Sequence, residues 1–331
     1  MTRMLARIAV GLTLLASPAV LCAQTFEEVG TRAAGMGGAF VGVADDASAA
    51  YWNPAGFAAG SFLSLVIDRT GGKANPPDLP GGSGRSGLLF ALGAPPLGLS
   101  YYSLRATTLT SLPTVQGAAV TTPGIVRVNT LSTHHTGVTL VQSLTEGVAV
   151  GATLKLVRGS ASSSLQTDEH RDSLLDGDSD PRGRESTKFD ADLGLMATLG
   201  RVKAGLTVRN ATEPGFKTDG HTPSLTLQRQ ARAGLSVTPR PGWIVAADLD
   251  LNRVASPFGD MRAFAAGAEG HVHPKVFVRG GLRVNTAGSR APAVSAGASY
   301  AATGSLLIDA QVTGGSAQAA RGWGVAARFG Y

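Results

Sequence analysis

The last ten residues, "GWGVAARFGY", constrain the fold most. Trp323, Val325, Ala327, Phe329 and Tyr331 occupy one set of alternate positions, and Gly324, Ala326, Arg328 and Gly330 the other. Successive side chains of a strand point to opposite faces, so one face is wholly apolar and the other is small or charged. The pattern recurs in "GVAVGATLKLV", "TKFDADLGLMATL", "GWIVAADLDLN" and "SLLIDAQV". Alternating segments of about ten residues, separated by turn residues, are what a membrane-spanning β-barrel requires. The expected spans are 61–69, 85–94, 97–107, 133–145, 147–158, 187–199, 201–212, 225–238, 242–253, 262–273, 275–286, 292–302, 304–314 and 321–331. The chain is therefore expected to be all-β, an antiparallel transmembrane barrel of about fourteen strands.

The connections support the same reading. After every second expected strand the link is very short, as at Ala94-Pro95-Pro96, Gly200 and Pro274, whereas the links 70–84, 108–132, 159–186 and 213–224 are long. Short turns on one side and long loops on the other are the asymmetry of an outer-membrane barrel, with both chain ends on the short-turn, periplasmic side. Ahead of the strands, Arg3 and Arg7 precede an apolar run from Ile8 to Leu21 and a cleavage site after Ala23. That arrangement reads as a secretory signal peptide over 1–23. The N-terminal segment 24–60 and the barrel 61–331 follow. Cys22, the only cysteine, falls within the signal, which excludes disulfides, thiol catalysis and cysteine–metal sites from the mature chain. Beyond the signal no apolar run reaches the ~18 residues of a membrane helix. The net charge of +6 is a mild basic balance without a Lys/Arg-rich run, which gives nucleic-acid binding no support.

The small-or-charged faces carry opposite charges on successive strands. Lys155 and Lys203 flank Asp190 and Asp192; Arg232 precedes Asp248 and Asp250; Glu269 precedes Arg279 and Arg283; Asp309 precedes Arg328. A charge at mid-membrane is costly against lipid and tolerable in a polar lumen beside an opposite charge. These twelve residues are therefore expected to line the lumen. Apolar inward positions are few: Leu89, Val141, Met196, Phe277 and Leu307.

The run "RAAGMGGAFVGVADDASAAYWNPAGFA", Arg32 to Ala58, is unlike the rest: it neither alternates nor is apolar enough to span a bilayer. Its elements Gly35-Met36-Gly37-Gly38, Asp45-Asp46 and Asn53-Pro54-Ala55 resemble the N-terminal signature of the FadL/OmpP1/TodX outer-membrane superfamily, and the related PorV/PorQ barrels carry a similar run. The resemblance implies a fourteen-stranded barrel with this segment folded into its lumen as a plug. The residues suit that place. Glycines permit sharp turns. Asp46 is suited to cap a short helix from Ala47 to Trp52, and Pro54 disfavours helix at Asn53. Asp45 and Asp46 are expected to meet inward arginines such as Arg232, Arg279 or Arg283.

The resemblance implies passive uptake of small hydrophobic molecules across the outer membrane of a Gram-negative bacterium. Leu109, Leu112, Val115, Val120 and Ile125, in the expected loop 108–132, are the candidate capture residues. The PorV/PorQ-like alternative is a closed barrel that docks exported proteins for a secretion system. Membrane lipid is an expected partner in either case, as is the outer-membrane assembly machinery through the C-terminal Tyr331. No catalysis, metal or cofactor is expected. His271 and His273 lie at an expected turn, the Asp176, Asp178, Asp180 series has Pro181 where a calcium loop needs glycine, and "DEHRDS" packs triad residue types into one contiguous polar stretch.

Overall fold

A computed structural model describes residues 29–75, 81–111, 124–167, 171–176, 183–218, 224–256, 258–316 and 321–331. The expected signal peptide lies outside the described residues, as do Leu112, Val115 and Val120 of the expected capture loop.

Fourteen antiparallel strands close into one barrel: β1 Ser64–Ala74, β2 Gly81–Ala94, β3 Leu97–Ser111, β4 Ile125–Thr145, β5 Val148–Thr167, β6 Ser186–Leu199, β7 Val202–Arg209, β8 Gln230–Arg240, β9 Trp243–Asp250, β10 Ala263–His273, β11 Val276–Asn285, β12 Ala293–Ala301, β13 Leu306–Gly315 and β14 Arg321–Gly330. Each strand pairs with its neighbours in sequence, and β14 returns to β1 through pairs such as Ile67–Ala327. Gly147, Gly200 and Gly242 hold positive φ values of 77°, 60° and 79° in the short turns, a conformation that costs glycine nothing.

Period two sorts the side chains as the sequence predicts. Ile67, Phe90, Leu99, Val138, Leu154, Leu193, Val245, Ile308 and Val325 stand exposed around the outer wall. An apolar belt of this extent is at home only against lipid. No helix among the described residues is long and apolar enough to cross a membrane, and the strands do the crossing.

The barrel is taller on the β3–β5 side than expected. Much of the expected loop 108–132 is strand: β3 runs on to Ser111 and β4 starts at Ile125. Two small elements cover these extensions. Helix α3, Arg171–Asp176, packs Leu175 against Leu109, Val126 and Val128. The pair Gly215–Phe216 and Leu225–Thr226 packs Phe216 and Leu225 against Leu131, Val157 and Ala161. The expected strand 225–238 is thus split, and the barrel strand starts only at Gln230.

The main core lies inside the barrel. Residues 29–57 are almost wholly buried there, and Phe40, Tyr51 and Trp52 pack with Leu89, Tyr102, Val141 and Met196 of the wall. Helix α1 is Thr31–Gly35, helix α2 is Ala49–Trp52, and a 3-10 turn covers Pro54–Ala59.

Candidate functional site

The site is the seat of the N-terminal segment in the barrel. Short helices leave backbone groups unsatisfied at both ends, and here the wall supplies the partners. Asp68 of β1 accepts the N–H groups of Gly30 and Thr31 at 3.1 and 2.6 Å, capping α1. Ser295 of β12 accepts the Gly37 N–H at 2.9 Å and donates to the Gly35 carbonyl at 3.1 Å. Asp248 of β9 accepts both Phe40 and Val41 N–H at 2.8 and 2.9 Å. Ser236 donates to the Gly42 carbonyl at 2.7 Å, and Ser64 accepts from Ala47 at 2.9 Å. The Asn53 amide donates to Val41 of the segment at 3.0 Å and to Leu195 of the wall at 3.1 Å. Asn53 itself is extended before Pro54, which ends α2 as expected.

Glycines of the wall admit this close contact. Gly151 pairs with Gly194, Gly205 with Gly234, and Gly267 with Gly281 across neighbouring strands. A Cβ at Gly151 would stand 2.4 Å from the Pro54 carbonyl carbon, and one at Gly205 2.4 Å from the Val41 oxygen. At Gly267 it would meet the Met36 oxygen at 2.2 Å, and at Gly281 the Gly37 nitrogen at 2.2 Å. Backbone rests on backbone at these places, so only glycine fits.

Charge closes the seat on one side. Arg32 of α1 meets Glu269 at 2.7 Å, and Glu269 meets Arg279 at 2.5 Å. Arg279 meets Asp309 at 3.2 Å, Asp309 pairs with Arg328, and Arg328 reaches Asp46 at 3.3 Å. Asp46 returns to Arg32 at 3.1 Å. Six groups of alternating sign thus form a closed ring, two from the segment and four from β10, β11, β13 and β14. Asp45 joins Arg32 from outside it at 2.5 Å. The four wall members stand within a few residues of the short-turn ends of their strands. Burial pushes the Asp46 carboxyl up, but the Arg32 and Arg328 guanidiniums and the Ser48 hydroxyl more than offset this and hold it below its ordinary 3.8.

The opposite side is aromatic. Tyr51 meets Tyr102 of β3 edge-on at 5.3 Å, Tyr102 stacks on His135 at 4.2 Å, and the Arg209 guanidinium lies 3.5 Å over the Tyr51 ring. Beside them Lys155 bridges Asp190 at 3.0 Å and Asp192 at 2.7 Å.

Several expected lumen charges are therefore brought together, in the pairings Lys155–Asp190/Asp192, Arg232–Asp250 (2.6 Å), Glu269–Arg279 and Asp309–Arg328. Others differ. Lys203 and Arg283 are only half-buried, and Asp248 serves backbone N–H groups. Asp45 and Asp46 do not meet Arg232, Arg279 or Arg283: Arg32 of their own segment turns back to them, and Arg328 completes the contact. Asp46 accepts the Ser48 N–H at 2.9 Å, and α2 begins later than expected, at Ala49. Of the capture residues, Leu109 is buried under α3, and Ile125, the first residue of β4, is exposed. Arg32, Asp68, Tyr102 and Arg209 are not among the residues the sequence pattern singles out. Asp68 is the readable one, as the one acid of the first expected strand and at an inward position. His271 stacks on Phe277 at 4.2 Å, and a register shift separates it from His273. Among the described residues no three His, Cys, Asp or Glu side chains are placed to hold a metal ion.

A fourteen-stranded barrel with its own N-terminal segment seated in the lumen defines a class of fold. The fold is similar to that of the Pseudomonas putida toluene transporter TodX, at 12% identity and a TM-score of 0.60 over 93% of this chain and 99% of that one. A Pseudomonas aeruginosa FadL homologue shares it at 12% identity and a TM-score of 0.55, over 90% of this chain and 97% of that one. The resemblance to the FadL/OmpP1/TodX superfamily read from the N-terminal run thus extends to the fold. A family model described as "F plasmid transfer operon, TraF, protein" matches residues 104–250. No curated protein matches the chain.

Proposed function

We propose that the protein is an outer-membrane channel of the passive-uptake kind, that its substrates are small hydrophobic molecules, and that residues 30–60 are its gate. The observation that carries the reading is the seat itself. The segment is joined to the wall by hydrogen bonds, ion pairs and glycine contacts, with no covalent tie beyond the chain at Gly60. Such contacts form and part as a unit. The TodX and FadL-homologue fold supports the substrate class. A chain lacking residues 30–60 should show a higher single-channel conductance in a planar bilayer than the full chain. Equal conductance overturns the gate.

A second reading has its own support. The cavity between the segment and the β12–β14 wall, lined by Ala34, Gly37, Ser295 and Gln311, measures only about 30 Å³. A segment seated this closely also suits a PorV/PorQ-like scaffold that docks exported proteins and never opens. Co-purification of exported proteins with the full chain, together with no uptake of apolar solutes in liposomes, would favour it.

A further inference from the structure

A second site lies on the outer wall at the long-loop end. Exposed Ile67, Phe90, Tyr101 and Trp323 mark the outward-facing positions of β1, β2, β3 and β14. Lys73, Arg105 and Arg321 fall on the same alternate set. Their registers bring them together: Lys73 pairs with Arg321, Gly71 pairs with Trp323 and with Ser86, and Ser86 pairs with Arg105. One row across the wall therefore reads Val312, Trp323, Gly71, Ser86, Arg105, with Lys73 and Arg321 one outward step nearer the long loops. Gly71 and Ser86 put little side chain between the indole and Arg105. The Trp323 ring leans over Gly71, where a Cβ would stand 2.9 Å from its Nε1. On the other side α3 comes down on β2, and a Cβ at Gly84 would stand 2.1 Å from the Leu175 oxygen. The result is an alcove of about 920 Å³. The outward cations Lys73, Arg105 and Arg321 line it, and Asp172, hydrogen-bonded to Asn75 at 2.8 Å, is the one carboxylate among its described lining residues.

Its height is set by the strands. A tilted strand crosses the hydrocarbon in about 9–11 residues. Lys73 is the last residue but one of β1, counted up from Ser64 at the short-turn end, and Arg321 opens β14. Lys73 and Arg321 thus sit at headgroup level in the leaflet on the long-loop side, and Arg105, Trp323 and Val312 lie in the row just below at the acyl boundary, where indole rings favour residence.

We propose that this alcove binds the phosphate headgroup of a lipid from that leaflet, with its acyl chains lying against Trp323 and Val312. Convergent guanidinium and ammonium groups from three strands match a phosphate. An apolar edge on the membrane side of the cations suits an amphiphile and is of no use to a soluble anion. The site is independent of the lumen, so the gate proposed above can fail without affecting it.

Native mass spectrometry of the full chain in non-ionic detergent tests it, with bis-phosphorylated lipid A and phosphatidylcholine as probes. Wild type should retain lipid A at least about tenfold more strongly than the zwitterionic lipid, since each basic residue near a charged lipid surface contributes on the order of 1 kcal/mol. The triple variant K73Q/R105Q/R321Q should lose that preference. The control R158Q/R229Q/R253Q, which removes exposed arginines paired with Glu185, Glu213 and Asp260 elsewhere, should keep it. Equal retention by the triple variant overturns the proposal. Release of lipid A by millimolar inorganic phosphate also overturns it, because the site would then take a free anion. Should the triple variant lose the heat-modifiable gel shift of a folded barrel, R321Q and W323A decide singly: each should weaken lipid A retention, and unchanged retention in both refutes the site.

Discussion

Against β10–β14 the N-terminal segment meets charge; against β3–β7 it meets rings. The two contacts stand on opposite sides of the lumen and fail differently. In the ring of Arg32, Glu269, Arg279, Asp309, Arg328 and Asp46 every group has two partners of opposite sign, so losing one leaves buried charge uncompensated. Breaking a buried pair from one side costs about 3–5 kcal/mol. On the aromatic side, Tyr51 loses contact by degrees: an edge-on aromatic pair contributes about 0.5–1.5 kcal/mol and a buried cation–π contact about 2 kcal/mol. The charged side is therefore a latch, and the aromatic side is a packed hinge face. This difference can be broken deliberately, because Cys22 lies in the expected signal and Ala47→Cys would give the mature chain a single thiol, at a position buried when the segment is seated. The labelling rate of that thiol reports how often the segment leaves.

The largest effect is expected from filling the seat. In Gly267→Leu/Gly281→Leu both new side chains would run into the backbone of Met36 and Gly37, which has no room to yield. Both point into the lumen, so the lipid-facing belt is untouched. The barrel should still migrate as a folded, heat-modifiable species, with conductance close to that of the chain lacking residues 30–60. Wild-type conductance in the double variant, with slow thiol labelling in the Ala47→Cys background, would show that the glycine pairs are not the seat.

Arg32→Met comes next. It leaves Glu269 with Arg279 and Asp46 with Arg328, but strands Asp45 and opens the ring. At about 3–5 kcal/mol, labelling should rise a hundredfold or more. Tyr51→Leu keeps an apolar side chain and loses the ring contacts with Tyr102 and Arg209 and the hydrogen bond to Arg209, for about 2.5 kcal/mol and roughly a seventyfold rise. If Tyr51→Leu opens the segment more than Arg32→Met does, latch and hinge have been assigned to the wrong sides.

The wall is legible in the sequence and the seat is not, for a physical reason. Period two says which face a residue occupies, and alternation in "GWGVAARFGY" or "TKFDADLGLMATL" is enough to sort lumen from lipid. Pairs between adjacent strands follow from that sorting, so Glu269–Arg279, Asp309–Arg328 and Lys155–Asp190/Asp192 can be read. Contacts across the lumen depend on the path of a segment with no period at all. Arg32 therefore does not stand out beside the two aspartates it holds, and the wall arginines Arg232 and Arg279 look like their partners instead. The glycines of the wall are visible only as small inward residues; their pairing as Gly267–Gly281 or Gly205–Gly234 needs the register. Leu109 reads as a loop residue for another reason. Strands β3 and β4 continue past the bilayer, where α3 covers them, and apolar residues there no longer report on lipid or ligand.

Acid gives the smallest effect, and on the charged side it acts through the ring. Asp46 is the carboxylate that the segment itself contributes to the ring, and its guanidinium neighbours hold it below the ordinary 3.8. A freed segment would titrate near that ordinary value. A group whose carboxyl is depressed when seated stabilises the seat fully above its free value and loses that contribution as pH falls through the depressed one. Through this contact, labelling of the Ala47→Cys chain, measured with a thiol reagent that stays reactive in acid, should thus rise as pH falls below the ordinary carboxylate range. In that background Asp46→Asn should label faster at every pH and show less of the acid rise. Tyr51→Leu should label faster as well but keep the full acid rise, because nothing it removes carries a proton in that range. An identical acid profile in parent and Asp46→Asn would separate proton binding from the latch, leaving the ring a fastening that pH does not touch.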